Sequence, residues 1–329
     1  MSKLSLCDSG TPHLGLNVVA KLCRAVQTAY KSDLRLPDGT QINLLSFPKP
    51  CRVRQEDQVV ILTYNLQNAG SPDLLQWSNV IEAFDPDLFL AQESCDPNRY
   101  RLPQGSDGLA AKAVWCPVPE RATHVWGSAV YARGGKITPL RVDEALQVWL
   151  TGAEVEDCPA LSGRRVRVFS LHAHRPYSAT VMRMLDCIQA TRDGTDLILG
   201  GDFNLTIGQR HHSERLDDGT PWETTQEERA ILTRIRDEFG LVNCWQAANP
   251  GVPLAQTYRS SSEARPLGCT QCPPVRSHHY DGIFVPSTWD LPRCTVVNNE
   301  EWTGRNDVNR PPRSDHNPVV ATVTVSRGR

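Results

Sequence analysis

An α/β fold with mixed sheets around one large core is the class this sequence predicts, on three observations. Short apolar runs of strand length are interspersed with segments of helical spacing rather than segregated from them. Those runs end repeatedly in acids, amides or histidines, the places where α/β sheets carry ligand sites. The composition, 40% hydrophobic and 22% charged over 329 residues, is that of an ordinary globular protein and excludes whole-chain disorder or coiled coil. The length admits two domains or one large α/β domain.

Residues 1–57 differ from the rest. They carry one helical pattern around Leu16–Ala29, a turn at Pro37-Asp38-Gly39, then Pro48 and Pro50. They are expected to form an N-terminal appendage of unknown role, with residues 58–329 as the main domain. The main domain opens with VVILTYNL (59–66), an apolar strand ending in polar residues. A helix follows, with Ser71 as N-cap, Pro72 as its first residue, and Leu74, Trp77, Ile81 and Phe84 at helical spacing. DLFLAQES (87–94), THVWGSAVYAR (123–133) and RRVRVFSLHAHR (164–175) are further strands. Ser178 is placed to cap a helix carrying Val181, Leu185 and Ile188. DLILGGDFN (196–204) is a buried strand, and Thr224 with Glu227 has the form of a capping box opening a helix that stops at Gly240. YDGIFV (280–285) and NPVVATVTV (317–325) complete the set.

The net charge is −2, so attraction of the whole molecule to nucleic acid is not indicated, and such contact would use a local patch. The basic set is 6 Lys and 29 Arg; arginine suits phosphate, although GC-rich coding alone gives the same bias. No apolar run approaches the roughly 18 residues of a membrane span, and the start, MSKLSLCDSGTPHLGLN, lacks the apolar stretch of a secretory signal. A cytoplasmic location without a membrane anchor is the expectation, with most of the 11 cysteines reduced. The oligomeric state is not legible.

The polar strand ends are Asn65, Glu93, His172, Asp202 with Asn204, Asp281, and Asp315 with His316. Asp202 and Asn204 are two apart, which on an extended backbone points both to one side. Gly200 and Gly201 before them would admit a substrate or another backbone. Four carboxylates gathered together repel, and a divalent cation relieves this; oxygen ligands favour Mg²⁺, or Mn²⁺, over zinc. His172 and His316 are poor magnesium ligands, suited instead to phosphate contact or proton transfer. Metal, acids, amides and histidines together suit in-line attack of water on phosphorus.

These residues carry a resemblance. LTYNLQNAG, LFLAQES, SLHAHRP, GGDFN, YDGIFV and SDHNPV occur in the order of the DNase I-like endonuclease/exonuclease/phosphatase superfamily, and GSAVYAR resembles its central strand. The resemblance covers about residues 58–325. It implies a four-layer α/β sandwich, two mixed β-sheets packed face to face and flanked by helices, and metal-dependent hydrolysis of phosphate esters. By the same resemblance, Glu93 is a metal ligand and Asn65 the amide that helps hold metal or phosphate. Asp315 is a second metal-side carboxylate. Asp202 orients and deprotonates the attacking water, with Asn204 positioning water and phosphate. His316 meets the scissile phosphate and Asp281 orients it. His172 donates to the phosphate or protonates the leaving oxygen. His174 and Arg313 are candidate substrate contacts.

Other patterns point elsewhere. His172-Ala173-His174 is an H-x-H that can open a zinc hydrolase site, but Pro176-Tyr177 stands where Asp-His would follow. Cys269-Thr-Gln-Cys272 with His278 and His279 has zinc-type ligands at an ill-fitting spacing. Arginines 164, 165 and 167, and Arg305, Arg310 and Arg313, are candidates to line a groove. The superfamily often has Arg-Ile-Asp where His279-Tyr280-Asp281 stands. The Trp-Cys-Asp-Arg hallmark of inositol phosphatases and an apolar hairpin for lipid insertion are missing. A nuclease acting on DNA or RNA is the expectation, with a small-molecule or lipid phosphodiesterase or phosphatase as the alternative.

Overall fold

The computed structural model describes residues 58–67, 75–96, 109–116, 126–216, 219–258, 278–298 and 314–325. The expected appendage, the Ser71-Pro72 cap, the Cys269/Cys272 pair and Arg305, Arg310 and Arg313 lie outside them.

In chain order the first half contains β1 (Gln58–Asn65), α1 (Leu75–Phe84), β2 (Leu88–Ser94), β3 (Ala113–Trp115), β4 (Gly127–Ala132), β5 (Lys136–Leu140) and β6 (Leu150–Glu156). Then come β7 (Val166–His172), α2 (Tyr177–Ala190), β8 (Asp196–Asp202), α3 (Gln226–Asp237), β9 (Leu241–Asn243), α4 (Cys244–Ala248), β10 (Asp281–Pro286), β11 (Asp290–Val296) and β12 (Val319–Thr324). Two six-stranded sheets result, with orders β11-β12-β1-β2-β4-β3 and β5-β6-β7-β8-β10-β9. Each has one central parallel pair, β1/β2 and β7/β8, flanked by antiparallel neighbours. Both sheets are therefore mixed, and they share one pairing pattern despite the lack of a sequence repeat.

The layers follow from residue alternation. On β1, Val59 and Ile61 enter the core between the sheets, while Val60, Leu62 and Tyr64 face the opposite side with Trp77 and Val80 of α1. On β7, Val166 and Val168 enter the same central core, whereas Phe169 and Leu171 meet Val181, Met184, Leu185 and Ile188 of α2. Ile231 and Ile235 of α3 join that outer cluster. The result is the four-layer sandwich: helix, sheet, sheet, helices. Trp77 is anchored in its layer edge-on to Phe89, ring centroids 4.9 Å apart, with its indole N–H donating to Ser94 Oγ at 3.0 Å.

Two expected caps shift. The capping box of α3 is Thr225 with Glu228, not Thr224 with Glu227: Thr225 Oγ1 accepts from Glu228 N and the Glu228 carboxylate accepts from Thr225 N. Thr224 Oγ1 instead accepts from Arg210 N at 2.9 Å. Helix α2 starts at Tyr177, so Ser178 lies inside its first turn and caps nothing. Strands β3, β5, β6, β9 and β11 are additional to those expected. Pro139 on β5 and Pro292 on β11 obscure the strand pattern, and both strands are sheet edges, where a missing N–H is tolerated.

Candidate active site

The residue alternation that fills the central core also delivers polar groups to one rim. Along the inter-sheet face, β1 reads Val59, Ile61, Thr63, Asn65 and β7 reads Val166, Val168, Ser170, His172. Strand β8 reads Ile198, Gly200, Asp202, and β10, running antiparallel to it, reads Val285, Ile283, Asp281. Each face therefore passes from apolar to polar at the same end of the sandwich. Beneath the rim a polar belt joins the sheets. Gln92 Nε2 donates to Ser170 Oγ at 3.0 Å and to Thr63 Oγ1 at 3.2 Å, and Ser170 Oγ donates to Ala91 O at 2.9 Å.

Glu93 breaks the alternation. Strict period-two order would turn it toward the α1 layer. The pairing of β2 with β4 shifts register between Ala91 and Ser94, and Glu93 adopts φ +48°, in the left-handed region. This bulge swings the carboxylate into the cleft, where it meets Asn65. A non-glycine residue in that region costs of order 1–3 kcal/mol, and such strain clusters at functional sites.

Glycines 200 and 201 serve backbone approach rather than substrate. A Cβ on Gly200 would lie 2.8 Å from Gly282 O, and one on Gly201, at φ +147°, would lie 1.9 Å from Leu171 O. Asn204 is brought back toward Asp202 by a left-handed turn at φ +52°, not by extended backbone. Its side-chain amide donates to Asp202 Oδ2 at 3.1 Å and to Ala173 O at 3.0 Å, and its N–H donates to Asp202 Oδ1 at 2.9 Å.

Asp202, 1% exposed, is the hub. Besides the Asn204 contacts, Oδ2 accepts from Asn65 Nδ2 at 3.0 Å and stands 3.6 Å from both His172 Nε2 and His316 Nε2. Burial raises its carboxyl above the usual carboxylate range; His316 and His172 offset part of that, and Asp281 adds to it. His316 is gripped through Nδ1 by Asp281, at 2.8 Å from Oδ2 and 3.0 Å from Oδ1. Burial works against a charged ring here, but Asp281, Asp202 and Asp315 outweigh it and push the imidazole up to about 10. Asp315, whose Oδ1 is 3.8 Å from His316 Nε2, is raised by burial, with His316 offsetting and Glu93 adding to the rise.

Asn65 donates to Glu93 Oε1 at 3.2 Å as well as to Asp202, while its own Oδ1 accepts from Gln67 N at 2.9 Å. It therefore fixes both carboxylates rather than turning its oxygen toward them. Glu93 Oε1 is 3.7 Å from His172 Nε2. The structure thus brings together Asn65, Glu93, His172, Asp202, Asn204, Asp281, Asp315 and His316 from both sheets. His174 lies in the same cleft, of about 380 Å³, with its Nδ1 2.9 Å from Arg175 O. The arginines of residues 164–167 are not brought to it. They sit at the far end of β7, paired with acids: Arg164 with Asp196, Arg165 and Arg167 with Asp193 and Glu154.

A cation fits this donor set. Glu93 and Asp315 supply hard carboxylate oxygens at the open side of the rim, and the rise of the Asp315 carboxyl, caused by burial and added to by Glu93, is what a bound cation would relieve. Asp202, Asp281 and His316 also each place one ligand-type atom within 4.8 Å of one another, but the last two are committed to each other.

Several contributors carried no sequence signal. Ser314 Oγ donates to Asn65 O at 2.7 Å and accepts from His316 N at 3.1 Å, tying the last motif to the first. Thr257 Oγ1 accepts from the N–H groups of Tyr280 and Asp281 at 2.8 and 3.0 Å. Trp126, Trp149 and Tyr258 wall the cleft. Only the position of Ser314 inside the SDHNPV segment could have suggested one of them.

No family model matches the chain, and no curated protein matches it. Solved structures do. An AP endonuclease from Archaeoglobus fulgidus is 17% identical at a TM-score of 0.53, over 80% of this chain and 98% of that one. The 3′ phosphatase NExo from Neisseria, bound to a product DNA hairpin, is 19% identical at 0.53, over 80% and 98%. An endonuclease/exonuclease/phosphatase family protein from Bacteroides thetaiotaomicron is 16% identical at 0.52, over 83% and 100%. The fold is that of the DNase I-like endonuclease/exonuclease/phosphatase superfamily.

Proposed function

We propose that the chain is a Mg²⁺-dependent phosphoester hydrolase, acting as a nuclease on DNA or RNA phosphodiesters. The observation that carries the reading is Asp202. Its Oδ2 accepts from two asparagine amides and lies 3.6 Å from two imidazoles, all delivered from separate strand ends. That is the arrangement of a fixed base beside two groups able to meet a phosphate.

In this reading Asn65 and Asn204 hold the Asp202 carboxylate so that a free lone pair faces the attacking water and takes its proton. His316 keeps its Nδ1 on Asp281, which fixes the ring and directs Nε2 at a non-bridging phosphate oxygen. Its raised pKa supports a charged ring there, stabilising the negative charge that develops. His172, from the neighbouring strand, faces the same space and is placed to donate toward the leaving oxygen. Glu93 and Asp315 would hold the cation, with Asn65 fixing Glu93. When bound, such an ion supplies Lewis-acid stabilisation of the phosphate and orients it.

Nucleic acid as substrate rests on analogy with the AP endonuclease and the DNA-bound 3′ phosphatase. A panel of end-labelled DNA and RNA, phosphorylated small molecules and phospholipid headgroups, with Mg²⁺ or with chelator, tests it. Cutting of nucleic acid with Mg²⁺ and its loss on chelation are expected. Release of phosphate from small molecules or headgroups with nucleic acids intact would install the alternative phosphatase or phosphodiesterase reading. Among the described residues no helix is long and apolar enough to cross a membrane.

A further inference from the structure

One wall of the cleft is aromatic. Trp149 lies 5.3 Å from the His172 ring and 4.8 Å from the His174 ring, centroid to centroid. Trp126 packs edge-on against it at 5.4 Å and reaches His172 at 5.5 Å. Both tryptophans are only half-buried and line the cleft, whereas Trp77 and Trp289 are 1% and 4% exposed in the core.

Trp149 is held rigidly. The preceding Val148 has φ +80°, a costly state for a β-branched residue. Ser128 N donates to Val148 O at 2.8 Å, and Trp149 O accepts from His172 N at 2.7 Å and Ser128 Oγ at 3.2 Å. These bonds fix the Trp149 backbone beside His172, and the ring contacts with His172, His174 and Trp126 hold the indole over it. A preorganised flat ring loses little entropy when something stacks on it.

Among the described residues lining the cleft, Arg175 is the one permanent cation, placed to meet a backbone phosphate beside the rings. Stacking of a base on an aromatic ring contributes about 1–3 kcal/mol.

We propose that Trp149, backed by Trp126 and His174, is a stacking subsite for one unpaired nucleobase attached to the scissile phosphate. This deepens the nuclease reading and rests on it for the identity of the neighbouring phosphate site. A base inside a duplex has both faces covered by its neighbours, so the subsite selects single strands, frayed ends or extruded nucleotides. Arg175 and Tyr177, whose Oη accepts from Arg175 Nε at 3.2 Å, form the polar edge of the subsite on the sugar-phosphate side.

The test is binding by fluorescence anisotropy of two labelled single-stranded hexamers, one of thymidines and one with every base removed. It uses the full chain carrying Asp202→Asn, with Mg²⁺, so that strands stay intact. The base-bearing strand should bind at least about tenfold more tightly, within the range for stacking of one base. Trp149→Ala should bring the two strands to equal affinity, and Trp149→Phe should keep most of the preference. Equal binding of both strands to the parent, an undiminished preference in Trp149→Ala, or no binding of either strand at millimolar concentration would each overturn the proposal. The two readings separate cleanly. Cleavage of DNA or RNA without base preference removes the subsite alone, whereas base preference in a protein whose wild type cuts no nucleic acid removes the nuclease reading and the scissile phosphate with it, leaving Trp149 as a base-stacking site only.

Discussion

The Nδ1 atom of His316 sits against both carboxylate oxygens of Asp281, at 2.8 and 3.0 Å. The aspartate is fully buried, and its backbone N–H is held by Thr257 Oγ1, so neither partner has room to swing away. The pair fixes which face of the imidazole looks into the cleft.

Asp281→Asn keeps the size and one hydrogen bond but removes the charge behind the ring. Turnover should fall by about 100-fold, the low end for disturbing a group that stabilises developing charge, while KM stays within a few-fold. Steady-state kinetics with circular dichroism as a fold control measure this. Wild-type turnover would remove Asp281 from the mechanism.

Glu93 reaches the cleft through a bulge and a left-handed backbone, which suits a metal-facing carboxylate. Glu93→Gln should raise the Mg²⁺ concentration for half-activity by about 10–100-fold, the scale of effects on metal-site affinity. A metal titration superimposing on that of the wild type would take Glu93 off the ligand set.

Gly201 separates Asp202 from the rest of β8, and a Cβ there would lie 1.9 Å from Leu171 O. Gly201→Ala should destabilise the fold by more than about 3 kcal/mol in urea unfolding, a severe effect tied to backbone collision and strain. Gly194, at φ +87° with open space where a Cβ would stand, isolates the backbone effect alone. Gly194→Ala should cost only about 1 kcal/mol. Similar losses at both sites would contradict the packing account.

Cys294 lies in the central core, and burial pushes its thiol from the ordinary 9 up to about 12. The unfolded chain therefore gives up this proton first, and the thiol's contribution to stability is present below pH 9 and lost as pH rises toward 12. Cys294→Ala escapes that loss. Its stability deficit against the wild type should shrink by about 1.4 kcal/mol per pH unit above 9. A deficit independent of pH between 8 and 11 would show that the thiol is not held neutral by the fold.

What the sequence shows and what it hides divide along one physical line. Central strands such as 59–66 and 196–202 are buried on both faces, so they read as apolar runs, and their polar ends read as a site. Edge strands β5 and β11 carry prolines and exposed residues, and strand periodicity does not find them. Grouping Glu93 with Asp202 and His316 came from motif order. The bulge that makes it possible is a backbone event with no residue signature. Thr257 and Trp149 are outside every motif, because the groups that brace a site and the walls of its cleft depend on which loops meet in space.

Asp202 remains the most direct point of attack on the central claim, because two asparagines and two histidines converge on one of its oxygens. Asp202→Asn preserves shape and most hydrogen bonding while removing the carboxylate proposed to act as the base. With Mg²⁺ saturating and the fold verified by thermal unfolding, kcat on the best phosphodiester substrate should drop by at least about 100-fold. Turnover within threefold of wild type would contradict the assignment of this rim as a phosphoester hydrolase centre.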